Sequence, residues 1–149
     1  MPELQPDIAS DRFSLEQGTR LLVQVPEEAA GRVLQAMLQV EPLFWGDYDQ
    51  VAFTTSTGVQ QFRVRSQARN AVTDQAVEVP CVELQVFVPK VGQALEPLLC
   101  AIYHAHPYEE PVIQLVAAAR SCHRRGQDEA NPNRFWNQSP ADWVPLSHR

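Results

Sequence analysis

Two stretches, LVQVPEEAAGRVLQAML (22–38) and LQVFVPKVGQALEPLLCAI (84–102), follow one pattern: an apolar strand, then Val-Pro, then a run with apolar residues at helical spacing. In the first, Leu21 to Val25 is a short apolar strand candidate ended by Pro26, which holds the residue before it extended. Proline suits a first helical turn, and Glu27 and Glu28 suit the positive end of the helix dipole. Ala29, Ala30, Val33, Leu34, Met37 and Leu38 then fall on one helical stripe. In the second, Cys81 to Val88 alternates, with Val82, Leu84, Val86 and Val88 on one face, and Pro89 closes the run. Leu95, Leu98, Leu99, Ile102 and Tyr103 mark one side of the helix that follows, with Gly92 and Pro97 near its start.

Working outward, Val51–Thr55 and Gln60–Val64 flank Ser-Thr-Gly and read as a β-hairpin. Residues 66–79 are polar and read as loop, and Val112–Ala118 supplies a last strand. Two strand–helix–strand units then give an α+β domain: a ferredoxin-like βαβ-βαβ sandwich, with both helices on one face of an antiparallel sheet. The chain divides into an N-terminal arm (1–20), the domain (21–119) and a polar C-terminal tail (120–149) expected to pack on the domain or on a neighbour.

The bulk numbers narrow the function classes. The 149 residues, 44% hydrophobic and 20% charged, suffice for one domain with a real core. A net charge of −6 argues against a phosphate-neutralising surface, so no nucleic-acid partner is expected. No stretch has the apolar length of a membrane span or the layout of a signal peptide. Three widely spaced cysteines without a CxxC point to a reducing, cytoplasmic setting.

Two helices cover one side of such a sheet. The other side would carry the alternate residues, among them Cys81, Phe87, Val112 and Val116, and is expected to be apolar enough to need covering. The aromatic tail (Phe135, Trp136, Trp143) or another subunit could do so, and self-association is the expected answer.

Chemistry concentrates in Tyr103-His104-Ala105-His106-Pro107-Tyr108-Glu109-Glu110. Imidazoles and carboxylates at a helix C-terminus suit a divalent cation such as Cu or Zn, with His104, His106 and Glu110 as ligands. Alternatively, His106 and Tyr108 shape the helix-to-strand turn, and Glu109 and Glu110 are solvated. A second patch, Leu43 to Asp49, interleaves aromatics with carboxylates. Trp45 and Tyr48 there could line a ligand cleft or an interface. Cys81 and Cys100 look like small core residues, and Cys122-His123 in a basic stretch is not a held dyad. No phosphate-binding loop, serine-hydrolase elbow or zinc-protease helix motif occurs.

The segment from about Leu21 to Ala118 resembles the inserted, YqfO-type domain of the NIF-three-like family, also called GTP-cyclohydrolase-type-2-like. The resemblance rests on VPEEAAGRVLQAML, GDYDQVAFTT, TGVQQFRV and, most specifically, AHPYEEP (105–111). HPYEEP is also similar to the motif of CutA, a trimeric ferredoxin-like protein associated with divalent-cation tolerance. The resemblance implies a CutA-like fold, a homo-oligomer with a trimer favoured, and a cleft near Trp45, Tyr48, His106, Tyr108, Glu109 and Glu110. Full-length NIF-three-like proteins hold two metals in a flanking core whose ligands have no counterpart among His104, His106, His123 and His148, so their hydrolase activity is not transferred. The first expectation is therefore an oligomeric binding or regulatory module taking a divalent metal or small ligand. The second is an interaction subunit for a separate partner protein, and the third a metal-dependent hydrolase or a cysteine enzyme using Cys122.

Overall fold

The computed structural model describes residues 7–65, 69, 72, 74–139 and 141–149. A strand β1 (Phe13–Pro26) leads through a 3-10 turn (Glu27–Ala29) into helix α1 (Ala30–Val40). Strands β2 (Phe53–Thr54), β3 (Gly58–Phe62) and β4 (Val77–Val88) follow. A second 3-10 turn (Gly92–Leu95) opens helix α2 (Glu96–Ala105), and β5 (Val112–His123) completes the sheet. All pairings are antiparallel. β1 lies between β4 and β5, and β2 and β3 both lie against the far side of β4. This is the ferredoxin-like arrangement that the duplicated pattern implies.

Pairing register decides which residues share a face. Leu21, Val23 and Val25 of β1 stand opposite Val86, Leu84 and Val82 of β4. These six are buried, together with Val33 and Met37 of α1 and Leu98 and Ile102 of α2. The core therefore lies between the sheet and the two helices, as the alternation and the helical stripes require. Tyr103, assigned to the apolar side of α2, instead points outward and is half exposed. It follows Ile102 by about 100° around the helix, beyond the narrow stripe that a sheet covers.

Three expectations are corrected. The segments around Ser56-Thr57-Gly58 do not form a hairpin: Phe53–Thr54 faces Gln85–Leu84, and Gly58–Phe62 faces Cys81–Val77, along one edge of β4. A tight hairpin needs left-handed backbone at its turn, and no residue from 53 to 62 has a positive φ. The chain merely steps out at Thr55, whose N–H donates to the Glu83 carbonyl (3.1 Å) and whose Oγ1 accepts from the Glu83 N–H (2.9 Å). Next, the first and last strands are much longer than their apolar segments. Residues 13–20, read as lead-in, pair with Val116–His123.

The third correction concerns the back of the sheet. The register puts Glu16, Arg20, Leu22 and Gln24 of β1 there, beside Glu83, Gln85 and Phe87 of β4 and Val112, Gln114 and Val116 of β5. It is a polar–apolar mosaic rather than a greasy sheet, because β1 and β4 place amides and charges at most of these alternate positions. The tail aromatics do not cover it, since Trp136 and Trp143 remain exposed. Asp128 ties the tail to the start of β1 through Arg12 (2.6 Å) and also holds Arg134 (2.7 Å).

Candidate functional site

The HPYEEP turn is built from the end of α2. The His106 N–H still donates to the Ile102 carbonyl (2.9 Å), but its backbone turns extended ahead of Pro107, and the helix stops. The imidazole then folds inward and is buried. Its Nδ1 accepts from the Tyr108 N–H (3.1 Å), which leaves the proton on Nε2, and Nε2 donates to the Gln24 carbonyl of β1 (2.8 Å). Burial pushes this imidazole below its ordinary pKa, outweighing the hydrogen bond to Gln24, and the nearby Arg32 charge acts in the same direction. His106 is thus a neutral pin between α2, β1 and the turn.

The Tyr108 ring packs against His106 (5.3 Å between centroids) and edge-on against Phe62 of β3 (5.9 Å). Burial, followed by the nearby Cys81 and Glu28 charges, raises its phenol pKa. Beside these rings lies a pocket of about 370 Å3 whose lining includes Arg63, Arg65, Glu109 and Glu110. Glu109 accepts the Arg69 N–H (2.9 Å).

The predicted metal ligands are not brought together. Both ring nitrogens of His106 are occupied, and the exposed His104 shares with it a hollow beside Arg32 and Gln35 of α1 that Glu110 does not line. Glu110 lines the pocket below Tyr108. Among the described residues no group of three or more His, Cys, Asp or Glu side chains could hold a metal ion.

Trp45 and Tyr48 belong to another part of the molecule. Residues 42–51 form a closed loop: Trp45 and Tyr48 exchange backbone hydrogen bonds (2.8 and 3.1 Å) around Gly46, and Val51 N–H returns to the Leu43 carbonyl (3.0 Å). Gly46 has φ +59°, a conformation that glycine adopts freely. Trp45 reaches across to β5, where its Nε1 donates to the Ser121 carbonyl (2.9 Å). Tyr48 stays in solvent. The pocket beside Trp45 and the pocket beside Tyr108 share no lining residue, so the expected single cleft is two sites.

Sequence reading did not single out what secures this loop. Arg120, buried on the back face, lies over the rings of Phe87 (4.4 Å) and Trp45 (5.2 Å). It also pairs with Glu16, its neighbour across β1 (2.5 Å), and donates to the Phe44 carbonyl (2.5 Å). Beyond it, Asp47 accepts from Arg125 and from His123 (3.1 Å). The hydrogen bonds from Arg125 and then His123 hold the Asp47 carboxyl down to about 2. Cys122 and His123 are successive strand residues and face opposite ways, so they form no dyad. The clue to this clasp lay in Arg120 and Glu16, but only their register across two distant segments makes it legible.

No family model and no curated protein matches this sequence. Solved structures do. A Bacillus cereus protein related to NIF3 superposes with a TM-score of 0.60 at 20% identity, over 75% of this chain and 28% of that one. The divalent ion tolerance protein CutA1 from Ehrlichia chaffeensis superposes with a TM-score of 0.50 at 15% identity, over 73% of this chain and 84% of that one. The chain therefore has the CutA-like fold, as the AHPYEEP resemblance implied, and spans little more than a quarter of the NIF3-related protein.

Proposed function

We propose that this chain is a non-catalytic binding module that works as a cytoplasmic homo-oligomer, a trimer in the CutA manner, and takes a small organic ligand beside its HPYEEP turn. The observation that carries it is the open edge of β5. Among the described residues this strand pairs with one strand only, β1, the Trp45 indole meeting it near its far end at Ser121, and from Val112 to Ala119 it has no charge and no proline on a twelve-residue strand. Leu115 and Val116 stand 48% and 42% exposed there. Soluble proteins blunt such edges unless another chain pairs with them. The opposite edge, β2 and β3, is short and interrupted. Joining β5 of one copy to that edge of the next is a head-to-tail contact, which gives a ring where the rotation between copies closes.

Light scattering coupled to size exclusion tests the assembly. Three copies are expected for the native chain, and a monomer for the double variant Gln114→Lys/Val116→Lys, whose charges sit on exposed positions. A native monomer that runs identically to the variant would reject it.

The Tyr108 pocket supports the ligand part of the reading. Its apolar wall and charged groups of both signs suit a small zwitterion, with an acid toward Arg63 and Arg65 and an amine toward Glu110. The reading assigns no divalent ion to this turn, because both nitrogens of His106 are engaged and, among the described residues, no group of three or more His, Cys, Asp or Glu side chains could hold one. Calorimetry with zinc and copper salts is therefore expected to give no saturable heat. A screen of zwitterionic metabolites by thermal shift should yield a ligand whose effect is lost in Tyr108→Ala. No shift from any of them would leave the pocket without a role.

A second reading, an interaction subunit for a separate protein, draws on the same β5 edge, which could accept a foreign strand. It is favoured if the native chain is monomeric and the Gln114→Lys/Val116→Lys variant loses a partner captured by the native chain.

A further inference from the structure

A second pocket, also of about 370 Å3, opens on the back face beneath the 42–51 loop. Its walls are Trp45 and Phe53, and Phe87, Gln85, Arg20 and the Glu16-paired Arg120 line it from the sheet. Phe53 is 63% exposed and Trp45 38%, so two large aromatics flank a hollow that the chain itself does not fill. Trp45 is held by its bond to Ser121 and by the Arg120 guanidinium, and the pairing of Phe53 with Gln85 sets its backbone and the face of the sheet it takes.

The charge in this hollow is uncompensated. Arg20 stands between Phe87 and Val116 in the sheet, and among the described residues it has no ion pair and no side-chain hydrogen bond. The nearby carboxylates are engaged elsewhere. Glu16 is taken by Arg120, Asp47 by Arg125 and His123, and Glu83 accepts the Gln85 amide N–H (2.9 Å). That last bond orients Gln85 and leaves its carbonyl oxygen as an acceptor. An unpaired guanidinium beside aromatic walls, in a chain of net charge −6, is a local reversal of sign that favours an anion.

We infer that this pocket binds a small planar aromatic anion, one or two fused rings carrying a single acid group. The ring lies between Trp45 and Phe53, and the acid pairs with Arg20. The volume falls within the roughly 300–1,000 Å3 common for small-molecule sites, at its lower end, which limits the ligand to such a size. The inference stands apart from the Tyr108 pocket and does not depend on it.

The probes are 2-naphthoate and its neutral counterpart 2-naphthylmethanol, titrated calorimetrically into the full chain. One saturable naphthoate site per chain is expected. Arg20→Met keeps the apolar stem and should weaken naphthoate at least tenfold while leaving the alcohol unchanged. Phe53→Ala should weaken both. Both side chains are exposed, and unaltered melting of each variant confirms that the fold is intact. In a Trp136→Phe/Trp143→Phe background, naphthoate should also alter the fluorescence of Trp45, the remaining tryptophan. The proposal is overturned by absence of saturable naphthoate binding, by undiminished binding to Arg20→Met, by equal loss of both probes in that variant, or by an unresponsive Trp45.

Discussion

Replacing His106 by alanine tests the central reading of the HPYEEP turn, that this imidazole is a structural pin. Two hydrogen bonds disappear, and the Gln24 carbonyl and the Tyr108 N–H lose their partners at a buried position. An unmade hydrogen bond at a buried group costs about 1–3 kcal/mol, less where water enters the gap, so the pair sums to about 3 kcal/mol. At about 2–4 °C per kcal/mol for a chain of this size, the melting temperature should fall by about 6–12 °C. The pH dependence gives an independent check. The folded state keeps His106 neutral, with its pKa below the ordinary 6.5, so the unfolded chain binds a proton that the folded one refuses. This contribution to stability is whole above about 6.5 and is lost as pH falls toward the depressed folded value. His106→Gln, whose amide can offer one donor and one acceptor along a similar path, should recover part of the lost stability and remove that acid-side slope. Urea unfolding followed by circular dichroism between pH 8 and 5 measures both effects. A melting point within 2 °C of native in His106→Ala, or an unchanged slope in His106→Gln, would refute the reasoning. So would a zinc-induced rise in melting temperature that disappears in His106→Ala.

Gly18 lies where the Phe87 ring and the β4 backbone crowd β1, and an added Cβ would run into the Val88 carbonyl, the Phe87 ring edge and the Pro89 Cα (2.9 Å). Gly18→Ala should destabilise the chain by about 3 kcal/mol or more, because backbone must move, and thermal melts will read it. Arg120→Met keeps the stem against Phe87 but strands Glu16 and the Phe44 carbonyl. A loss of about 2 kcal/mol is expected, with a red shift of Trp45 emission as the 42–51 loop loosens. Asp47 titrates near 2 in the folded chain against an ordinary 3.8, so the stability from its pairing is present above about 3.8 and fades as pH drops toward 2. Asp47→Asn should flatten the urea midpoint over that interval, and an unchanged acid limb would show that the clasp is not what titrates.

Amino-acid order alone settled which face each element turns to the core. Val82, Leu84, Val86 and Val88 alternate, and Val33 and Met37 recur at helical spacing. Those periods are local properties of strand and helix, so the layered α+β fold and the placement of AHPYEEP after the second helix were readable without coordinates. Side-chain period says nothing about which strand lies beside which, or for how long. Residues 13–20 and 119–123 carry little apolar signal, yet they pair because the sheet extends past its core and satisfies their backbone groups. The same long-range register set Glu16 opposite Arg120, put Arg20 beside Phe87, and spread amides and charges over a back face expected to be greasy. It also separated Trp45 from Tyr108, because loop 42–51 is captured by β5 while the HPYEEP turn is pinned to β1. Local pattern chose the faces; pairing between distant segments chose the neighbours, and the neighbours make the sites.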